Sequence, residues 1–349
     1  MASASADQRE YLVGVYYFSG WWREQPNKWF TGSRDWRNDY PERIPLLGEY
    51  NEQATMDQEI AAAARGVDFF QILWYPQESQ CCPHQEKLNE GLRMFMASPY
   101  SSRMKFTIEF VNHPPFEIAS DTGWESACRQ WCAAMKHPSY LRVGGRPVFK
   151  IHHPLLFLQQ NGNNPEKVNE RLETFRRIAR DDGLPNPLIG AGAAAGGVSS
   201  GPIVEPFDYL TTYMEMPDLP RRDEPYPYEK LIGYARRGWA GYGERSKKLY
   251  MPYVPAGWDP RPWKDPRPPY TAPTREEWLF ALKRAKAALD KYPMLGIPTS
   301  GGGRQKAILI YAWNEFGEGG IVAPTRGEGA MKLDAICEVF GRREAQSDH

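Results

Sequence analysis

Short apolar runs alternate with amphipathic stretches along the whole chain. The runs at 12–17, 67–74, 105–111, 147–152, 188–192, 209–213, 249–254 and 307–312 are nearly continuous in hydrophobicity, the pattern of strands buried on both faces. The intervals between them read as helices with their own punctuation. Thr55 and Gln58 fit a capping box, with Gly66 past the last turn. Asn164 then Pro165 reads as N-cap and first helical position, and Val168, Leu172, Phe175 and Ile178 form one apolar stripe behind them. Thr274 and Glu277 fit a second capping box, ahead of Trp278, Ala281, Leu282, Ala285 and Leu289. A last helix runs over 331–340 and stops at Gly341.

Eight strands alternating with helices imply an α/β fold with a parallel sheet, closed or doubly wound. Polar and aromatic residues recur at the C-terminal ends of several different strands. In a barrel those ends share one mouth, whereas an open sheet concentrates its site at one switch point. The expectation is therefore a single (β/α)8 TIM barrel over 11–342, flanked by flexible ends at 1–10 and 343–349. A length of 349 residues suits one such domain. The segment 20–50 is dense in Trp, Arg, Asp and Tyr, and 217–228 is rich in Pro and charge. Both read as extended βα loops shaping a cleft rather than as linkers.

Composition narrows the partners. With 43 basic and 43 acidic residues the net charge is zero, so whole-chain charge makes no case for nucleic acid or an anionic membrane. No apolar run is long enough to insert in a membrane, and nothing in the chain speaks to oligomeric state. Residues 1–10 lack the apolar stretch of a signal peptide, which fits either a cytoplasmic chain or a periplasmic or secreted one already relieved of its leader. The five cysteines, Cys81, Cys82, Cys128, Cys132 and Cys337, are odd in number and make no disulfide framework. Cys128 and Cys132 share a helical face with Trp124, Trp131 and Met135, so they read as buried thiols. No metal and no cofactor is expected. The 12 Trp among 13% aromatics serve equally as core or as flat walls for the C–H faces of sugars, and many fall at strand ends.

The strongest local signal is Trp313-Asn314-Glu315-Phe316-Gly317-Glu318-Gly319, directly after the apolar run 307–312. Two carboxylates three residues apart on a straight strand point to opposite faces. Gly317 and Gly319 permit a sharp turn instead, in which both face one cavity. Glycoside hydrolysis needs such a pair, one acid to protonate the leaving oxygen and one carboxylate as base or nucleophile. Proximity pushes the two pKa values apart and separates the roles.

This heptapeptide resembles the signature of the glycoside hydrolase family 99-like proteins, which include endo-α-mannosidases and the WbsX-type proteins of polysaccharide gene clusters. The resemblance extends along the chain: Val13-Gly14-Val15-Tyr16-Tyr17 is similar to the family's first strand, Gly66-Val67-Asp68-Phe69-Phe70 with Trp74-Tyr75 to its second, and 140–149 to the entry of its fourth. Phe207-Asp208-Tyr209 through Tyr213 is similar to the sixth strand, and Pro255-Ala256-Gly257-Trp258-Asp259 to the loop after the seventh. The resemblance implies that Glu318 is the general acid/base. It implies that Glu315 is a base acting on the sugar's own 2-hydroxyl, so that a 1,2-anhydro sugar forms and configuration is retained. That route favours substrates with O2 trans to the leaving oxygen, as in α-mannosides. Phe316 and Gly317 depart from the bulkier pair of the mannosidases, and the loops 20–50 and 217–228 differ from theirs.

Further residues for binding a carbohydrate substrate are Tyr16, Tyr17, Trp74, Tyr75, Asn112, His113, His152, Tyr213, Trp313 and Asn314, with Glu215 as a third carboxylate and Trp258 and Asp259 as sugar platform and hydroxyl acceptor. Glu109 ends the third strand beside Asn112 and His113; of His152 and His153, one must point away from the barrel axis. Arg23, Arg34 and Arg37 in the first loop suit either an anionic sugar or solvent. The small-residue run 190–196 lacks dinucleotide-fingerprint spacing and reads as a strand end that leaves room in the cleft. Two other readings stand beside hydrolysis. A glycosyltransferase of polysaccharide assembly wants a phosphate cradle or an Asp-x-Asp at its metal, and neither is evident. A non-catalytic carbohydrate-binding barrel has no need of both Glu315 and Glu318.

Overall fold

The computed structural model describes residues 9–78, 82–192 and 203–341. The barrel strands are β1 (Tyr11–Tyr17), β2 (Phe69–Trp74), β3 (Lys105–Phe110), β4 (Arg146–Ile151), β5 (Leu188–Gly192), β6 (Tyr209–Thr211), β7 in two segments (Tyr250–Met251 and Tyr253–Pro255) and β8 (Arg304–Tyr311). Each lies on one of the sequence runs. All neighbouring strands are parallel, from β1 against β2 round to β7 against β8 and β8 against β1. Closure runs through β7: its first segment pairs with β6 and its second with β8. Pro252 stands between the segments, where it has no N–H to give but its carbonyl accepts from Leu309 at 2.9 Å.

Helices α1 (Gln53–Ala63), α2 (Glu90–Ala97), α3 (Asp121–Met135), α4 (Pro154–Gln160), α5 (Pro165–Asp181), α6 (Tyr228–Arg245), α7 (Arg275–Lys291) and α8 (Met331–Phe340) follow the strands in the connections. Thr274 and Glu277 cap α7 reciprocally, and Asn164 caps α5 ahead of Pro165. The Thr55 box does not form. Helix α1 starts three residues earlier than that box implies, at Gln53, with no side-chain cap. Arg9 and Glu10, read as part of a flexible end, are fastened: Arg9 pairs with Asp68 and donates to the carbonyls of Phe340 and Gly341, and Glu10 pairs with Lys306. The remaining end residues, 1–8 and 342–349, lie outside the described residues, as do Cys81 and positions 193–196 of the small-residue run.

The wall between β2–β4 and the helices outside them is aromatic. Trp131 of α3 lies within 5.4 Å, centroid to centroid, of the rings of Trp74, Phe110, Trp124, Phe149 and Phe175. Cys128 and Cys132 are buried free thiols on that same helix. In β5, a Cβ on Gly190 would lie 2.3 Å from the Tyr209 ring, and one on Gly192 would lie 1.8 Å from the His152 carbonyl. These two glycines serve the packing of adjacent strands rather than opening the cleft.

Candidate active site

Beyond β8 the chain folds back on itself. A two-residue strand β9 (Asn314–Glu315) pairs antiparallel with β10 (Gly320–Ile321). In the turn between them the N–H groups of Glu318 and Gly319 both donate to the Glu315 carbonyl, at 3.1 and 2.9 Å. Gly319 has φ +78°, a conformation that favours glycine, and a Cβ on Gly317 would lie 2.1 Å from the indole of Trp263. The loop after β7 braces the turn, with the Asp259 N–H donating to the Glu318 carbonyl at 2.6 Å. The turn brings both carboxyl groups into one cavity of about 410 Å³.

Each carboxyl group meets a tyrosine. Tyr213 donates to Glu315 Oε1 at 2.7 Å, and Tyr311 donates to Glu318 Oε2. Arg267 reaches Glu318 Oε1 at 3.4 Å, while its main partner is Asp265 at 2.7 Å. Burial pushes the Glu315 carboxyl up to about 8; the charge of Glu318 adds to this and the Tyr213 hydrogen bond opposes it. Burial also raises Glu318, against the pull of Tyr311 and Arg267. Two buried carboxylates of like charge resist ionising together, so they titrate as a unit that holds on to one proton. Glu315 Oε2 is buried with no hydrogen-bond partner among the described residues.

Among the described residues, the cavity walls come from seven strand ends: Trp22, Lys28 and Phe30 after β1, Tyr75 after β2, His113 and Phe116 after β3, His152 after β4, Tyr213 after β6, Trp263 after β7, and the hairpin after β8. That is the C-terminal mouth, where (β/α)8 enzymes carry their chemistry. Below it lies a second charged group. Lys150 Nζ sits 2.9 Å from Glu109 Oε1 and 2.6 Å from the Tyr16 hydroxyl, and His152 Nδ1 sits 2.6 Å from the same Glu109 oxygen. The His152 ring packs edge-on to Tyr213 at 4.7 Å, which links the interior pair to the hydroxyl that meets Glu315.

Of the residues singled out in the sequence, Tyr75, His113, His152, Tyr213, Glu315 and Glu318 line this cavity. The others do not, each for a visible reason. Tyr16 is buried in the barrel, donating to the Thr212 carbonyl. Tyr17 is turned to the helix side and donates to Glu59. Trp74 packs into the Trp131 cluster outside the barrel. Asn112 holds the backbone of His153 and the amide of Gln160. Trp313 donates to Glu59 at 2.9 Å, and Asn314 clamps both backbone groups of Phe18. Glu215 is half-buried near Tyr242, Tyr250 and Tyr253, and desolvation lifts its carboxyl to about 7. Trp258 is buried beneath the Arg267 guanidinium, and Asp259 is tied to Arg43 and Arg261. His153 is the histidine that points away, capping α4.

The long first loop does shape the cleft, although not through its arginines. Arg23 pairs with Glu52, Arg34 with Asp39, and Arg37 with Asp35 and Glu49. The segment 217–228 contributes no residue to the cavity lining; it braces the β7 loop instead, through Arg221 on the Asp265 carbonyl. Sequence reasoning passed over Tyr311, Lys28, Trp263 and Arg267. Tyr311 lies inside the β8 run, where the pattern of the chain gives its side chain no separate role. The other three sit in irregular loops with no periodicity to assign a facing.

No protein-family profile matches the chain. Two curated relatives, both uncharacterized proteins WxcX from strains of Xanthomonas campestris pv. campestris, are 25% and 26% identical over 226 and 234 residues. These matches span 60% of this chain and 29% of each relative. Among solved structures, the chain is similar in fold to a GH99 endo-alpha-mannosidase from Bacteroides thetaiotaomicron, with a TM-score of 0.58, 15% identity, and coverage of 94% of this chain and 97% of that one. A GH5_18 enzyme from Bifidobacterium longum, solved with Manb1-4GlcNAc, follows at a TM-score of 0.50 and 11% identity over 97% of this chain and 79% of that one.

Proposed function

We propose that this chain is a glycoside hydrolase that cleaves a poly- or oligosaccharide with retention of configuration. The observation that carries the reading is the hairpin that turns a buried and a part-buried carboxyl group, each held by its own tyrosine, into one aromatic-walled cavity. A pair that keeps one proton supplies both partners of glycosidic cleavage. Glu318, with 14% of its side chain exposed, is the one a leaving group reaches and is assigned as acid. Glu315 lies deeper and acts as base in the form of the pair whose single proton sits on Glu318; its raised basicity then suits removal of a proton from a sugar hydroxyl.

The reaction is written for a substrate with O2 trans to the leaving oxygen, such as an α-mannoside. In the first step O2 attacks C1, the C1–O bond to the leaving group breaks, Glu318 gives its proton to the departing oxygen and Glu315 takes the proton of the 2-hydroxyl. In the second, water attacks C1, Glu318 takes the water's proton, the C1–O2 bond opens and Glu315 returns its proton to O2. Two inversions give net retention. The likeness of the barrel to an endo-α-mannosidase supports this choice of sugar geometry.

A reducing-end assay over a glycan panel, with nucleotide-sugar turnover measured in parallel, identifies the substrate and separates hydrolysis from glycosyl transfer. The decisive compounds are then its 2-deoxy and 2-fluoro analogues. Both lack the internal nucleophile, so turnover of the 2-deoxy compound is expected to vanish and the 2-fluoro compound to leave no adduct on Glu315 by intact-protein mass spectrometry. A stable adduct there, or an inverted product by NMR, would defeat the assigned mechanism.

A further inference from the structure

Lys28 is a cation of the cavity wall that, among the described residues, has no carboxylate within ion-pair distance. Its neighbours in the same loop, Arg23, Arg34 and Arg37, are each paired with an acid, whereas Lys28 makes no ion pair with any described residue. Its position is built. The Lys28 carbonyl accepts from two indoles, Trp36 Nε1 at 2.7 Å and Trp263 Nε1 at 3.0 Å, so the backbone is pinned at the mouth. Gly20 has no Cβ where Lys28 Cγ passes, since a Cβ would stand 3.0 Å from it. The ammonium lies 5.4 Å from the centre of the Trp263 ring, itself a wall of the cavity. Its charge is felt at both Glu315 and Glu318. An exposed lysine ordinarily pairs loosely or hangs in solvent. This one has its main chain clamped and its head held over an aromatic platform beside the reacting centre.

From this placement we infer that the substrate is an anionic glycan, and that Lys28 pairs with a carboxylate, phosphate or sulfate group on the sugar next to the scissile bond. The inference deepens the hydrolase reading, and its chemistry is complementary charge: a neutral sugar stacks on Trp263 but leaves the ammonium unanswered. Lys28 is then a specificity residue. The competing role for the same atom is to favour the ionised form of the carboxyl pair, which would affect neutral and anionic glycans alike.

The test uses binding, so that it stands apart from turnover. Oligosaccharides from acidic bacterial polysaccharides are compared with the same material after carboxyl reduction to neutral sugars, by calorimetric titration against Glu318→Gln protein with and without Lys28→Met or Lys28→Glu. The acidic form is expected to bind more tightly, to lose about threefold to tenfold in affinity with Lys28→Met and more with Lys28→Glu, and to weaken as salt is raised. The reduced form should change by less than about twofold. Equal binding of the two forms, equal losses on both, or binding of neither overturns the inference. Charge-selective binding without hydrolysis by the wild-type chain would leave it standing while removing the hydrolase reading. With the wild-type chain and its lysine variant, an alkaline shift of the pH–rate profile on neutral and acidic substrates alike, with KM unchanged, would assign Lys28 to the carboxyl pair instead.

Discussion

Glu315 and Glu109 are equally buried and sit on the same barrel, one at its mouth and one inside it, yet burial ends differently for each. Glu109 is answered by Lys150 and His152, and their attraction outweighs desolvation, so its carboxyl lies below the ordinary range. Glu315 is answered by another carboxylate and a neutral hydroxyl, and its carboxyl rises to about 8. Glu59 falls between: its partners, Tyr17 and Trp313, are neutral donors, and it rises to about 7. Burial supplies a common upward push, and the charge of the partner decides whether the group becomes a fixed anion or a proton carrier. The fixed anion orders His152 and, through it, the Tyr213 ring. The proton carrier is left for chemistry.

The comparison breaks most visibly at Glu318. Replacing it with Gln removes the proposed acid, and hydrolysis of a natural glycan should fall by about 10³-fold or more, whereas an aryl glycoside with an acidic leaving group should suffer much less. Equal loss on both substrates, in steady-state assays, would assign the acid elsewhere. At the interior pair, Lys150→Met strands a buried carboxylate and should cost about 3–5 kcal/mol of stability by denaturant unfolding. The double variant with Glu109→Gln should recover part of that loss. If both single and double variants unfold like the wild type, the interior pair has no structural weight.

A smaller effect is expected at Glu315, where the sign follows from the raised carboxyl. The group is neutral in both states below about 4.5 and ionised in both above about 8, so the wild type loses stability across that window as the unfolded chain releases its proton first. Glu315→Gln cannot ionise. Its melting temperature should match the wild type at acid pH and exceed it above pH 7, by an amount worth about 1–3 kcal/mol. A constant difference at all pH values would show that the group is not held neutral. The least effect is assigned to Tyr213→Phe, which removes the hydrogen bond that lowers Glu315. The ionisation of Glu315 in the pH–rate profile should move by about half a unit to alkaline pH.

How far the chain can be read without coordinates differs between its strands and its site. Continuous apolar runs and caps such as Thr274–Glu277 are local: strand burial and helix entry depend on neighbours within a few residues, so the eight strands and most helices stand in the pattern of the chain. Closure could be inferred only from the scatter of polar residues over many strand ends. The split of β7 at Pro252, which joins the ring, is a pairing fact. Gly317 and Gly319 on either side of Glu318 announced a turn, since φ freedom is a property of the residue itself. Which way a strand-end side chain faces is not. Trp74, Asn112, Trp258 and Asp259 carry the right chemistry in the right place along the chain, but face helices or bind loops because neighbouring elements fill the space there. Lys28 and Trp263 reach the cavity from loops 235 residues apart, joined by the Trp263 indole on the Lys28 carbonyl and by Thr31 on the Pro262 carbonyl. Periodicity carries no information about such a contact, because it exists only once the barrel has brought its ends together.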